Sequence, residues 1–309
     1  MKKGSFSYVK RLNKCDFSQY IQRYFPGEKI QKITLDAGCS CPNRDGKEGR
    51  GGCTYCNNET FSPAFALRTH TLSDQLARGI DFFRYKYPHM RYLAYFQSYT
   101  ATYGSVDRLI ELYEEAVAYP QVVGIVIGTR PDCMPDRLLE YFSGLAKRCF
   151  VLIEYGVEST LDRSLELIHR GHSWACSQET IRMTHEAGIS VGAHLILGLP
   201  QESREELLQH ALRLNSLPID ILKLHQLQIV RHTIMAHEYK INPQQFQLFT
   251  AEEYADLCLD FLALLRNDIV VDRFVSQSPP HLLLAPQWNI KNYAFADLLR
   301  KKALARDTA

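Results

Sequence analysis

The chain has 309 residues, 46% hydrophobic and 23% charged, enough for one large α/β domain or two ordinary ones with a sizeable core. Its net charge of +2 excludes a whole-molecule field of the kind that draws in nucleic acid. No run of about 18 apolar residues occurs, which excludes a membrane-spanning helix, and Met1-Lys2-Lys3 leads into no apolar stretch of the kind a secretory signal needs.

The charge is uneven along the chain. Residues 1–32 hold eight Lys/Arg against Asp16 and Glu28, which fits a solvated terminus or a phosphate-facing arm. "KITLDAG" (32–38) then reads as a strand that runs into a Cys- and Gly-rich loop. In "SDQLARGIDFFRYKY" (73–87), Leu76, Ile80, Phe83 and Tyr87 recur at helical spacing. "RYLAYFQS" (91–98) reads as a strand and "VDRLIELYEEAVAY" (106–119) as a helix. "VVGIVIGT" (122–129) is β-branched and uncharged, the pattern of a strand buried on both faces. A helix over 136–148 begins beside Pro135. "FVLIEYGVE" (150–158) is the next strand, and helical spacing covers about 160–187. "SVGAHLILGLP" (190–200) is a strand stopped by Gly-Leu-Pro. Ser203 and Glu206 form a capping box for a helix over 203–215, and Thr250 and Glu253 form another for a helix to about Arg266. Between them "DILKLHQLQIV" (220–230) is a strand. The tail from about 267 reads as irregular and packed on the core.

Six strands alternating with helices make a parallel sheet with right-handed crossovers, either an open doubly wound sheet or a partial barrel. No Gly-x-Gly-x-x-Gly follows the first strand and no Gly-Lys-Ser/Thr occurs, so phosphate-cradling loops are not indicated. The organisation expected is a basic arm over 1–30, an α/β core over 31–266 and a C-terminal extension over 267–309.

The chain has nine cysteines, and five of them (Cys15, Cys133, Cys149, Cys176, Cys258) are scattered, which is reduced, cytoplasmic usage. The other four, Cys39, Cys41, Cys53 and Cys56, have the spacing C-x-C-x11-C-x2-C. Four thiolates on one zinc would make a closed structural knuckle. Three thiolates on an iron–sulfur cluster would leave one metal open, the mark of a working site. Unliganded thiols are the third reading. The loop joins a first barrel-like strand to a first helix, where barrels place their chemistry, and that favours the cluster.

Cys41-Pro42-Asn43-Arg44-Asp45-Gly46 and Gly51-Gly52-Cys53-Thr54-Tyr55-Cys56 resemble the Elp3-like branch of the radical SAM superfamily, and within it the bacterial YhcC/YtqA group. The likeness runs over about 30–285 and includes "AYFQSYTATY" (94–103), "GTRPDC" (128–133), "GVEST" (156–160), "RGH" (170–172), "HLILGLP" (194–200), "KLHQLQIV" (223–230) and "LLLAP" (282–286). The resemblance implies an α/β fold of the partial (β/α)6 TIM-like barrel type, carrying a [4Fe–4S] cluster and S-adenosyl-L-methionine. It implies Cys41, Cys53 and Cys56 as the cluster ligands, with the fourth iron left open for the methionine amino and carboxylate groups. Cys39 departs from the family pattern. The Gly-Gly-Glu common at the second strand end is absent, so Gln97, Ser98 and Tyr99 would supply the acceptors there. Glu154 and Glu158 share one strand face, and one of them, with Ser159, would reach the ribose or amino group. Arg170 resembles an arginine that pairs with the methionine carboxylate, and Leu199 in "LGLP" would flank the adenine. Arg130, Asp132, Lys223 and His225 point from strand ends toward the same mouth.

The implied activity is reductive cleavage of S-adenosyl-L-methionine to a radical that modifies a substrate. A flavodoxin- or ferredoxin-type electron donor is implied as a partner. Relatives of this branch act on tRNA, which points to wobble uridine, and Tyr8, Tyr20, Tyr24 and Phe25 in the basic arm suit RNA contact. A small-molecule precursor and a non-catalytic, zinc-stapled RNA-binding protein are the rival readings.

Overall fold

The computed structural model describes residues 6–60, 66, 70–85 and 89–309. Seven parallel strands form one sheet in sequential order: β1 (Lys29–Leu35), β2 (Met90–Phe96), β3 (Val122–Thr129), β4 (Phe150–Glu158), β5 (Ser190–Leu197), β6 (Ile221–Gln226) and β7 (Val270–Arg273). Because β1 and β7 are both edges, the sheet curls into an open partial barrel. All six expected strands are present. The seventh lies in the tail read as irregular, which also holds a two-stranded ribbon (Ile229–Val230 with Leu283–Ala285) and the helix Asn292–Thr308.

Alternation along each strand sorts side chains between two cores. Tyr92, Ala94 and Phe96 of β2, Val151, Ile153 and Tyr155 of β4, and Leu222 and Leu224 of β6 join the large core under the outer helices. Leu93, Tyr95, Val126, Leu152 and Ile221 face the other way, and the helix Phe17–Ile21 packs Phe17, Tyr20 and Ile21 against them. The basic N-terminal stretch therefore folds back on the sheet. Arg11 is buried and donates to the carbonyls of Arg266 and Ile269 at 3.2 and 2.8 Å. Tyr20, expected to suit RNA, is buried and donates to Ser190 Oγ at 3.1 Å. Lys2 and Lys3 lie outside the described residues.

Both capping boxes form as expected. The helix expected over 160–187 is instead two, Asp162–Leu167 and Trp174–Glu186. The break is made by His169 and Gly171, at φ 52° and 80°. A Cβ on Gly171 would also lie 2.8 Å from Asn43 Oδ1, so only glycine fits where this loop meets the cysteine loop.

Gly124 shows how tightly the sheet is built. Its Cβ would sit 2.2 Å from the Phe150 carbonyl oxygen on the paired strand. Backbone held in a ladder has no rotamer with which to yield. Gly124→Ala is therefore expected to cost on the order of 1–3 kcal/mol in urea unfolding, and a cost near zero would show that β3 and β4 are not registered in this way.

Candidate active site

The loop after β1 is shaped by local bonds. Asp36 accepts from the Gly38 amide at 2.8 Å, and Cys41 stands at the head of a short turn, Pro42–Asp45, ended by Gly46. The Cys53 carbonyl accepts the Cys56 amide at 3.0 Å, which closes the C-x2-C turn. That turn is pinned from two sides: the Thr54 amide donates to the Ile168 carbonyl at 3.0 Å, and the Thr54 carbonyl accepts from the Met235 amide at 2.9 Å.

Cys41, Cys53 and Cys56 line one cavity of about 170 Å³ at the C-terminal ends of the strands. Cys39 does not. It is buried in the large core, and its thiol donates to the Ala101 carbonyl at 3.7 Å. Among the described residues, no three His, Cys, Asp or Glu side chains converge on one metal-ion position. Cys39 is set apart from the other three thiols, whereas a four-thiolate zinc knuckle needs all four together.

Cys53 is the most elaborately held of the three. Asn43 Nδ2 donates to its sulfur at 3.4 Å, and also to the carbonyls of His169 and Arg170 at 2.7 and 3.0 Å. Arg170 Nη1 donates to the same sulfur at 3.6 Å, Nη2 donates to the Gly156 carbonyl at 2.7 Å, and Nε donates to His172 Nε2 at 3.1 Å. Glu158 lies 3.6 Å from Arg170. Burial, then the neighbouring Cys53, push the Cys56 thiol up to about 11. The donors to the Cys53 sulfur suit a thiolate-held cluster.

Of the other expected site residues, Gln97, Tyr99, Glu154, Glu158 and Arg170 line the cavity. Tyr99 and Glu158 do so from left-handed backbone, at φ 58° and 66°. Ser98 is buried outside the lining. Ser159 is buried and donates to Glu202 at 2.7 Å, and Leu199 packs in the cluster around Leu165 and Ile196. Arg130 lines the cavity while 2% exposed. Its Nε and Nη2 donate to Asp132 at 2.9 and 2.6 Å, and its buried Nη1 has no acceptor among the described residues.

Deeper in the barrel, Glu154 is the hub of a buried polar layer. It accepts from Lys223 Nζ and Tyr95 Oη, both at 2.6 Å, from His194 Nε2 at 3.1 Å and from Lys32 Nζ at 3.3 Å. Lys32 also bridges to Asp272 on the opposite sheet edge at 2.9 Å. Burial alone would raise the Glu154 carboxyl, but Lys223 and Lys32 outweigh it and hold it well below the usual range. Burial, with Lys32 and Arg273 nearby, brings Lys223 down to about 8 despite Glu154. Burial, then the Arg273 guanidinium, keep His225 neutral. Sequence reasoning missed Lys32, Tyr95, His194, Asp272 and Arg273 as members of this layer. A signal was present only for Tyr95 and His194, each of which places a polar group in an otherwise apolar strand.

The sequence pattern of the radical SAM superfamily matches residues 46–214, and that of the Radical_SAM C-terminal domain matches 219–304. Protein YhcC of Escherichia coli (strain K12) is 36% identical over 263 residues, covering 85% of this chain and 83% of the relative. YtqA of Bacillus subtilis (strain 168), itself uncharacterized, is 31% identical over 302 residues, 98% of this chain and 93% of the relative. In fold, the archaeal Methanocaldococcus infernus Elp3 lacking its N-terminus superposes with a TM-score of 0.67 at 15% identity, covering 91% of this chain. This chain spans 64% of that structure's length, less than two thirds. The chain belongs to the radical SAM superfamily, in its Elp3-like branch, and that family's cofactors are a [4Fe–4S] cluster and S-adenosyl-L-methionine.

Proposed function

We propose that this superfamily member is a cytoplasmic enzyme that holds the cluster through Cys41, Cys53 and Cys56, binds S-adenosyl-L-methionine in the adjoining cavity and modifies a tRNA wobble uridine. The observation that carries the cluster assignment is the partition of the cysteines: three face one cavity with Asn43 and Arg170 on Cys53, while Cys39 is turned into the core. Bound together, the two cofactors supply one-electron chemistry, reductive cleavage of S-adenosyl-L-methionine to a 5′-deoxyadenosyl radical that takes hydrogen from a substrate.

The chain's own part is to hold, orient and exclude water. Three thiolates leave room for a ligand that is not protein. The orphan Nη1 of Arg130 is a buried donor without an acceptor, a state that an incoming carboxylate relieves. Glu158, beside Arg170, and Gln97 and Tyr99 at the end of β2 offer acceptors for amino and hydroxyl groups. Glu154 is committed to Lys223, Tyr95, His194 and Lys32, so ribose or amino recognition falls to Glu158. Ser98, Ser159 and Leu199 act from behind the lining. Tyr95, His194 and His225 line the inner end of the cavity, where a substrate would meet the reacting atoms. The tRNA assignment rests on kinship with the Elp3-like branch. A flavodoxin- or ferredoxin-type protein would deliver the electron.

The test is anaerobic turnover. Reconstituted protein with S-adenosyl-L-methionine and a reductant is expected to form 5′-deoxyadenosine, and unmodified tRNA is expected to stimulate it. Product with no response to tRNA would move the substrate to a small-molecule precursor. Arg130→Gln is expected to weaken S-adenosyl-L-methionine binding by about tenfold in equilibrium dialysis, and unchanged affinity would remove Arg130 from the site.

A further inference from the structure

A second cavity, of about 630 Å³, opens at the seam of the barrel between β1 and β7. None of the cysteines of the first loop lines it, and among the described residues Tyr95 alone lines both cavities. Its floor is Lys32, Lys223, Asp272 and Arg273. Its walls are apolar and come from the two ends of the chain, chiefly Leu12, Phe17, Phe295 and Leu299.

The charges at this floor do not cancel. Among the described residues, Lys32, Lys223 and Arg273 are three cations, and the carboxylates in the layer are two, Glu154 and Asp272. His194 and His225 add nothing, because burial holds both rings neutral near pH 7, with Lys223 and Arg273 respectively reinforcing it. Burial keeps Cys15 and Tyr95 protonated as well. At the rim, Arg300 has its own partner in Asp297 at 3.9 Å. One positive charge is left over among buried side chains, where it is screened less than at the surface.

A hydrogen-bond donor is left over too. Arg273 Nη2 donates to His225 Nε2 at 2.6 Å, but the buried Arg273 Nε–H has no acceptor among the described residues. Burial, reinforced by Lys32 and Arg273, holds the Lys223 ammonium down against the pull of Glu154 and Asp272. A floor with one unmatched cation and one unmatched donor, under apolar walls, describes the complement of an amphiphile.

We propose that the seam cavity binds a small monocarboxylate with an apolar body, its carboxylate against Arg273 and Lys223 and its chain against Phe17, Phe295 and Leu299. The single surplus charge selects a monoanion. A phosphate group near neutral pH carries about 1.5–2 negative charges and would overshoot the count.

The probes are octanoate, 1-octanol and inorganic phosphate, titrated calorimetrically into the full-length protein. Octanoate is expected to bind at least about tenfold more tightly than octanol, and phosphate is expected not to bind. Arg273→Gln is expected to reduce octanoate affinity by about tenfold or more and to leave octanol unchanged. At pH 8, octanoate binding is expected to take up protons as the bound anion raises Lys223, read from the dependence of the heat on buffer ionisation enthalpy. Equal binding of octanoate and octanol would overturn the proposal without recourse to any variant, as would tighter binding of phosphate or no binding of octanoate. The Cys41→Ala, Cys53→Ala, Cys56→Ala triple variant is expected to bind octanoate as wild type does, so the result stands or falls separately from the cluster assignment.

Discussion

Cys53→Ala is expected to retain no iron–sulfur cluster after anaerobic reconstitution and to form 5′-deoxyadenosine at least about 100-fold more slowly than wild type, whereas Cys39→Ala is expected to keep both properties. The two residues stand fourteen positions apart in one loop, and composition does not separate them. Their surroundings do. Cys53 faces the cavity and receives hydrogen bonds from Asn43 and Arg170, groups that favour a thiolate. Cys39 donates its own proton to a backbone carbonyl in the core, the behaviour of a neutral thiol that packs as a small apolar side chain. Its loss is expected to cost about 1 kcal/mol of stability. Iron and sulfide content, visible absorption and nucleoside product on the same preparations decide the matter. If Cys39→Ala lost the cluster as completely as Cys53→Ala, the three-ligand assignment would be wrong.

The second large effect is expected at Glu154, which touches no proposed cluster ligand. Glu154→Ala strands Lys32 and Lys223 in the barrel with only Asp272 to share, and breaking buried pairs in this way costs about 3–5 kcal/mol. The penalty has a pH signature. Lys223 titrates near 8 in the intact layer, and losing its carboxylate partner lowers it further. Below about pH 8 there is therefore a range in which the variant's Lys223 has lost its proton while the wild type's keeps it, so the cost of Glu154→Ala is expected to shrink as pH rises to about 8 and to stay level above it. On the acid side the sign reverses. Glu154 and Asp272 both have carboxyls lowered in the fold, so their contribution is complete above the unfolded value of about 4 and is lost as pH falls through the folded ones. Wild type is thus expected to lose stability steeply below about pH 4, and Glu154→Ala to lose less. Urea midpoints across pH 3–9 for the two proteins test this, and a penalty independent of pH would show that the layer does not act through charge.

The six strands expected from sequence were legible because each is a run of apolar or alternating residues between turn signals. β7 was not. It has only four residues, and its polar pair Asp272-Arg273 breaks the apolar run that Val270 and Val271 begin. What makes it a strand is the partner: Ile221 and Leu222 of β6 supply the ladder, almost fifty residues away. The helix over 160–187 was overrun for a related reason. Helical spacing persists on both sides of His169-Arg170-Gly171, and periodicity does not register the two left-handed residues there. That break delivers Arg170 to Cys53, a contact across 117 positions. The site was therefore readable where it is local, in the cysteine loop, and unreadable where strands far apart in sequence meet inside the barrel. Glu154 illustrates the limit. Its type and its inward face were clear from sequence, but the four donors that occupy it come from four other strands.

The two ends of the chain meet. The Asp307 carboxylate accepts from the Ser7 hydroxyl and the Tyr8 amide at 2.8 Å each, and from the Val9 amide at 3.0 Å. Ser7 is among the first described residues to be synthesised and Asp307 among the last. During translation the cysteine loop leaves the ribosome with more than two hundred and fifty residues still to follow. The cysteine loop therefore waits for Ile168 and Met235, and the helix Tyr8–Leu12 waits for the helix Asn292–Thr308 to emerge and pack on it. Until then the open edges of the growing sheet stay exposed, the condition under which a nascent α/β chain most needs a chaperone.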